Sequence, residues 1–388
     1  MASLSDNSGL SKGAGRDPAN PWHQIDPLLF LLPLLIGLIG IVMVYSATRS
    51  SLQLEGSDPF FYAKRQFVYV ILGFSIMAVS LLVDYRTFRD HSALIYVGVM
   101  TLLLLVLSPL GSTVNSAQSW IVLGPIQLQP AELAKLAMLL AVAAWFGTLD
   151  NAPTNDHLIR GLLLGGLPIG LILLQPDLGT SLVLVAMVLG VVVVAGIQPR
   201  LLLAMVLTAV MFSVAIFQTD FVAGYQRDRL SVFLDSDADS GASGDDAALQ
   251  LVRSKTAIGA GGIAGSGLFK GSQTRLNLVP EQQTDFIFTV IGEEFGFIGS
   301  ALLLILYALL IWRIWLVAQG ARDLFSTLLC TGILVMLVVQ VFENIGMTVG
   351  IMPITGIPLP FMSYGGSAMI TMFLAIGLVH NVHMRRYI

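Results

Sequence analysis

Long apolar runs alternate with short polar joints along most of the chain. Ten runs stand out, at 27–46, 66–83, 92–110, 131–148, 158–174, 179–197, 201–217, 295–317, 324–348 and 366–382. Each approaches the ~20 residues that an α-helix needs to cross a bilayer core. The pattern predicts an all-α polytopic membrane protein with ten transmembrane helices. A polar tail, 1–26, precedes a membrane domain, 27–388, whose longest polar joint, 218–284, lies between spans seven and eight.

Composition narrows the picture. The 388 residues are 55% hydrophobic and only 11% charged, with a mean hydropathy of +0.82. A soluble domain carries about 25% charged residues. An ordinary soluble enzyme, a disordered chain and a nucleic-acid binder are all excluded, the last also by the net charge of −4. The single cysteine, Cys330, lies in an apolar run and reads as a small packed hydrophobe. The tail carries Lys12 and Arg16 but no apolar core of its own, so it predicts no cleavable signal peptide. It reads as a disordered cytoplasmic tail, with the first span as uncleaved insertion signal.

Basic residues orient the spans. With the N-terminus inside, one set of joints carries Lys12, Arg16, Arg86, Arg89, Arg160, Arg200, Arg313, Arg322, Arg385 and Arg386, against Arg49, Lys64 and Arg65 in the short joints opposite. Ten against three places both termini in the cytoplasm. The 218–284 segment holds six more basic residues but is too long for the rule, and it is expected outside.

That segment changes character along its length. Residues 235–246 read DSDADSGASGDD, a solvated acidic stretch that lacks the glycine position and flanking helices of a calcium loop. Residues 257–273, AIGAGGIAGSGLFKGSQ, have six glycines but no nucleotide-binding frame. Backbone that bends sharply near a ligand or a membrane surface accounts for them.

Charges at bilayer depth are the informative residues, because each costs at least ~2.5–3.5 kcal/mol at a helix centre. Glu132 and Lys135 open the fourth span at i and i+3, so they can pair, either as an interfacial ion pair or as the lining of a polar cavity. Asp177, in QPDLGT, suits the N-terminus of the next helix and could be a cap or a site residue. Asp285 stands where the outer loop re-enters the membrane, directly before Phe286-Ile287-Phe288. Thr284 or Asp285 could cap that helix; partial desolvation would instead suit Asp285 to general-base work. Residues 345–367 contain Pro353, Pro358, Pro360 and several glycines but no charge, which predicts a non-helical segment buried over the cavity.

Five motifs in order, QPAELAKLA (129–137), QPDLGT (175–180), SKTAIGAGGIAGSG (254–267), PEQQTDFIFTVIGEEFGFIG (280–299) and NIGMTVGIMPITGIPLPFMSYGGS (344–367), closely resemble the SEDS family of shape, elongation, division and sporulation proteins. The likeness covers the chain beyond its tail. Within the family, GSQTRLNLVPEQQTDFIF and NIGMTVGIMPITGIPLPF look more like RodA, the elongation member, than FtsW, the division member. Ser119, Leu249 and Arg253 depart from the usual residues, and 235–246 is unusually acidic.

The resemblance implies a peptidoglycan glycosyltransferase of the bacterial cytoplasmic membrane that polymerises lipid II for cell elongation and releases undecaprenyl pyrophosphate. It implies Asp285 as the catalytic residue, and Glu132, Lys135, Asp177, Arg227, Arg229, Lys255 and Ser363 as substrate-binding. Implied partners are lipid II and the undecaprenyl-linked glycan, a class B penicillin-binding transpeptidase, other elongation-machinery membrane proteins and membrane lipids, with no nucleic acid. No cofactor is firmly implied; a divalent cation, magnesium or manganese, stays open. A lipid II flippase, an FtsW-like division polymerase and a non-catalytic scaffold are the alternatives.

Overall fold

The computed structural model describes residues 24–109, 111–114, 117–123, 126–149, 153–205, 207, 211 and 246–386. The tail before residue 24, the acidic stretch 235–245 and the pair Arg227 and Arg229 lie outside the described residues.

Helices stand where the apolar runs predict them. They are α1 (Pro27–Leu54), α2 (Phe61–Ser80), a short α3 (Tyr85–Asp90), α4 (Ser92–Leu107), α5 (Pro130–Gly147), α6 (Asn155–Leu174) and α7 (Leu178–Val194). After the long joint come α8 (Asp246–Gly261), a single turn α9 (Ser272–Arg275), α10 (Ile287–Gln319), α11 (Leu324–Val349) and α12 (Gly366–Arg385). Among the described residues α1, α5, α6, α10, α11 and α12 are long and apolar enough to cross a membrane, and α4 and α7 are apolar but shorter. Residues 199–205 are helical and open the seventh predicted span, most of which lies outside the described residues.

Local chemistry sets the ends. Asp26 caps α1 by accepting from the Leu28 N–H at 2.9 Å, and Pro27 fills the first turn, where a missing N–H costs nothing. Asp323 caps α11, accepting from the Ser326 N–H at 2.8 Å, and Gly350 ends that helix in the left-handed conformation at φ 83°. Arg313 of α10 pairs with Asp26, and His380 of α12 accepts from the Asp26 N–H at 3.1 Å, tying three helices together.

The bundle has an inside and an outside. In their most apolar windows α5 and α12 are 78% and 83% buried, against 28% for α6 and 33% for α10. The first pair therefore forms the centre. Outward-facing Phe297, Ile298, Leu302 and Ile305 on α10 are what a lipid-facing helix presents. Cys330 is fully buried in the core, as expected.

The fold is all-α as expected but for one short feature. The joint before α5 is a small antiparallel sheet of β1 (Ser112–Val114), β2 (Ala117–Leu123) and β3 (Ile126–Leu128), in that order, with Ser112 opposite Trp120 and Ile121 opposite Leu128. Strands of three residues are too short to show an alternation of their own. The Gln129 N–H donates to Ser367 Oγ at 3.0 Å, so the sheet's exit is fastened to the start of α12.

α10 differs from expectation too, opening at Ile287 rather than 295 and breaking at Gly296, φ 63°. The break frees the carbonyls of Glu293 and Glu294, which accept from the N–H groups of Ser266 at 3.0 Å and Gly267 at 2.9 Å. The Phe297 and Ile298 N–H groups donate to the carbonyls of Gly262 at 2.9 Å and Ile263 at 3.1 Å. A Cβ on Gly265 would strike the Glu294 carbonyl, and one on Gly296 would strike the Gly265 nitrogen. The glycine-rich stretch is thus a loop stitched into a broken helix, an approach that only glycine permits on both sides.

Candidate functional site

Charges from three elements converge at the start of α5. Lys135 Nζ donates to Glu132 Oε1 at 2.8 Å, and the two side chains are 1% and 3% exposed. The pair is therefore buried inside the bundle. Asp177 is the N-cap of α7, accepting from the Thr180 N–H at 2.9 Å and its hydroxyl at 2.8 Å. Burial raises the Asp177 carboxyl above the ordinary carboxylate range; the Thr180 bonds pull against this, Glu132 adds to it and Lys135 opposes it.

A third carboxylate, Glu343 on α11, escapes the sequence reading. It is buried, its charge couples to Asp177 and Lys135, and neither of its oxygens has a hydrogen-bond partner among the described residues. The rule that singles out Glu132 applies equally to an acid inside VVQVFENIGMTV. Three carboxylates thus face one lysine.

The non-helical segment after α11 behaves as its prolines and glycines predict. Ile354, Ile357, Leu359, Phe361 and Met362 are buried. Part of the segment, Pro358–Phe361 and Ser363, lines a small cavity with Glu132, Gln340 and Met372. The cavity volume is about 10 Å³, room for one water and far below a sugar site.

Asp285 lies half-buried at the head of α10. The helix takes Phe286 as its N-cap with no side-chain cap bond, and the Thr284 hydroxyl turns back to the Glu281 carbonyl at 3.2 Å. Three successive carbonyls here are gripped from elsewhere. Gln283 accepts from the Tyr364 N–H at 2.8 Å, Thr284 from the Ser363 hydroxyl at 2.5 Å, and Asp285 from Asn344 Nδ2 at 2.7 Å. Ser363, which lines the cavity with Glu132, thus also bonds the carbonyl of the residue before Asp285. Lys255, exposed on α8, lies against Gly350 at the end of α11.

Glu293 fastens the outer loop. Its carboxylate accepts from the N–H groups of Gln273 at 2.7 Å and Thr274 at 2.9 Å, and from the Thr274 hydroxyl at 2.7 Å. Glu294 accepts from the Ser46 hydroxyl of α1 at 2.5 Å. Among the described residues no three His, Cys, Asp or Glu side chains are grouped so as to hold a metal ion.

A family model described as "Cell cycle protein", for FtsW, RodA and SpoVE, matches residues 26–388. Stage V sporulation protein E of Bacillus subtilis (strain 168) is 37% identical over 362 residues, 92% of this chain and 96% of that protein. Peptidoglycan glycosyltransferase MrdB of Escherichia coli (strain K12) is 34% identical over 368 residues, covering 94% and 95%. A solved structure described as "Structural coordination of polymerization and crosslinking by a peptidoglycan synthase complex" is 34% identical, covers 94% of this chain and 98% of its own, and has a TM-score of 0.78. Near-full-length matches of this kind leave one conclusion: the chain is a multi-pass membrane protein of the SEDS (FtsW/RodA/SpoVE) family.

Proposed function

We propose that this protein is a peptidoglycan glycosyltransferase that polymerises lipid II. Asp285 accepts the proton of the GlcNAc 4-hydroxyl of one lipid-linked chain. The freed oxygen bonds to the anomeric carbon of the MurNAc of another, and the bond from that carbon to pyrophosphate breaks. Undecaprenyl pyrophosphate leaves and a β-1,4 link remains. The charge of the pyrophosphate calls for cations, and Lys135, Lys255, Arg227 and Arg229 are the proposed ones. The Glu132–Lys135 pair forms the charged floor beneath, with Asp177 capping α7 beside it. The observation that carries the reading is the half-buried Asp285 at the head of α10, in a chain whose relatives include a peptidoglycan glycosyltransferase.

The finer reading has ten spans, both termini in the cytoplasm and 218–284 outside, in the bacterial cytoplasmic membrane. That arrangement puts Asp285, Glu132, Lys135 and Asp177 at the outer ends of their helices, on one side of the membrane. The partner is a class B penicillin-binding transpeptidase, in keeping with the similar synthase complex, whose description joins polymerisation to crosslinking. The likeness of 271–288 and 344–361 to RodA favours elongation over division.

Polymerisation of lipid II by the purified protein, with a partner whose transpeptidase serine is replaced, tests the activity. Glycan chains are expected. Movement of lipid II across vesicle membranes with no chains formed would make the protein a flippase. Depletion in cells separates the roles, with rounding expected for elongation and filaments for division.

A further inference from the structure

The three carbonyls ahead of α10 are held by donors that are themselves held. The Ser363 hydroxyl, which donates to the Thr284 carbonyl at 2.5 Å, accepts from the Leu359 N–H at 2.8 Å. The Ser363 carbonyl accepts from Gln66 Nε2 of α2 at 3.0 Å, and the Pro360 carbonyl from the Tyr307 hydroxyl of α10 at 2.5 Å. Asn344 bonds the Asp285 carbonyl at 2.7 Å and the Ile357 carbonyl at 2.8 Å through the same Nδ2. Asn344 and Gln66 are fully buried and Ser363 is 4% exposed. The bonds that reach residues 284 and 285 are not local: the Ser363–Thr284 pair is 79 residues apart and the Asn344–Asp285 pair 59.

A hydroxyl has one proton to donate. That of Ser363 goes to Thr284, so it has none for a substrate. The expectation that Ser363 binds substrate gives way to a different role. We infer that Asn344 and Ser363 are positioning residues, which clamp the main chain of residues 283–285 and so fix where the Asp285 carboxylate is presented. The inference rests on the reading of Asp285 as the base. A base must meet its proton within hydrogen-bond reach, and a displacement of ~1 Å can cost about 100-fold in rate. A mobile loop end would not hold that tolerance; three main-chain anchors, one on α11 and two on the prolyl-rich segment beyond it, do.

Purified complexes with the partner's transpeptidase serine replaced are assayed on lipid II, for Ser363→Ala, Asn344→Ala, Ser363→Thr and Asp285→Asn. Positioning predicts that both alanine variants lose about 10–100-fold in kcat. Their KM for lipid II stays within about threefold, because the clamp touches no substrate. The acid limb of the pH–rate profile persists in them, since the base is still present, and Ser363→Thr restores most of the rate. A KM raised about tenfold with kcat kept would make Ser363 a substrate ligand and overturn the inference. Unchanged rates in both alanine variants, with Asp285→Asn inactive, would overturn the clamp while leaving the base in place. An active Asp285→Asn would instead remove the base reading. Should Ser363→Ala not fold, Ser363→Cys, a weaker donor, replaces it. A kcat-only loss for cysteine beside a full rate for threonine supports the clamp; equal rates overturn it.

Discussion

Asp177 and Asp285 stand at the same kind of place, just ahead of an apolar helix, and are held in opposite ways. Asp177 gives its carboxylate to its own helix, accepting from the N–H and hydroxyl of Thr180 three residues on. The helix after Asp285 takes Phe286 as its N-cap, and the main chain around Asp285 is gripped by α11 and the segment beyond it. A carboxylate engaged by its own helix stabilises that helix, in the range of about 1 kcal/mol. A residue fixed through its main chain by distant groups is placed for something outside its helix. The contrast is one between a side-chain cap and a main-chain clamp, and under the proposed function the first stabilises a helix while the second presents the base.

Several substitutions break or sharpen that contrast. Replacing the proton acceptor is the most severe: Asp285→Asn should lower polymerisation about 10²–10⁴-fold while the protein still expresses, inserts and binds its partner. Glu132→Ala and Lys135→Ala come next. Each strands a partner charge in a site where the two side chains are 1–3% exposed, and each should lower the rate at least about tenfold in protein that still inserts. Near wild-type rates in both would leave the pair a structural one. Asp177→Asn should change the rate less than about threefold and appear mainly as a lower melting temperature, since a cap is what it removes. A loss as large as that of Asp285→Asn would erase the distinction between the two acids. Labelling should leave activity untouched. Single cysteines at exposed Ser57 and Asn155, in a Cys330→Ala background, should react and not react, respectively, with an impermeant thiol reagent on intact cells. The reverse pattern would invert the topology and put Asp285 inside.

Much of this was legible from residue type and spacing. The i, i+3 spacing of Glu132 and Lys135 anticipates their ion pair, and the charge-free, proline-rich 345–367 anticipates buried irregular backbone after Val349. What stayed hidden depends on partners far away in the chain. Nothing near Ser363 names Thr284 as its acceptor, because a serine in a turn bonds its neighbours equally well. Glu293 resembles any acid on a helix until its partners at Gln273 and Thr274 are seen. The sheet before α5 was unreadable because its outer strands have three residues each. Glu343 is the exception: the rule for charges at depth reaches it, and an apolar run scanned for helices hides it.

The account turns on one ratio, the initial rate of glycan synthesis from lipid II by Asp285→Asn over that by Asp177→Asn, both purified with the partner's transpeptidase serine replaced. With Asp285 as base and Asp177 as cap, the ratio falls below about one hundredth, with the Asp177 variant near wild type. An Asp285→Asn rate above about a tenth of wild type, or a ratio near one, would contradict the assignment of the chemistry to Asp285.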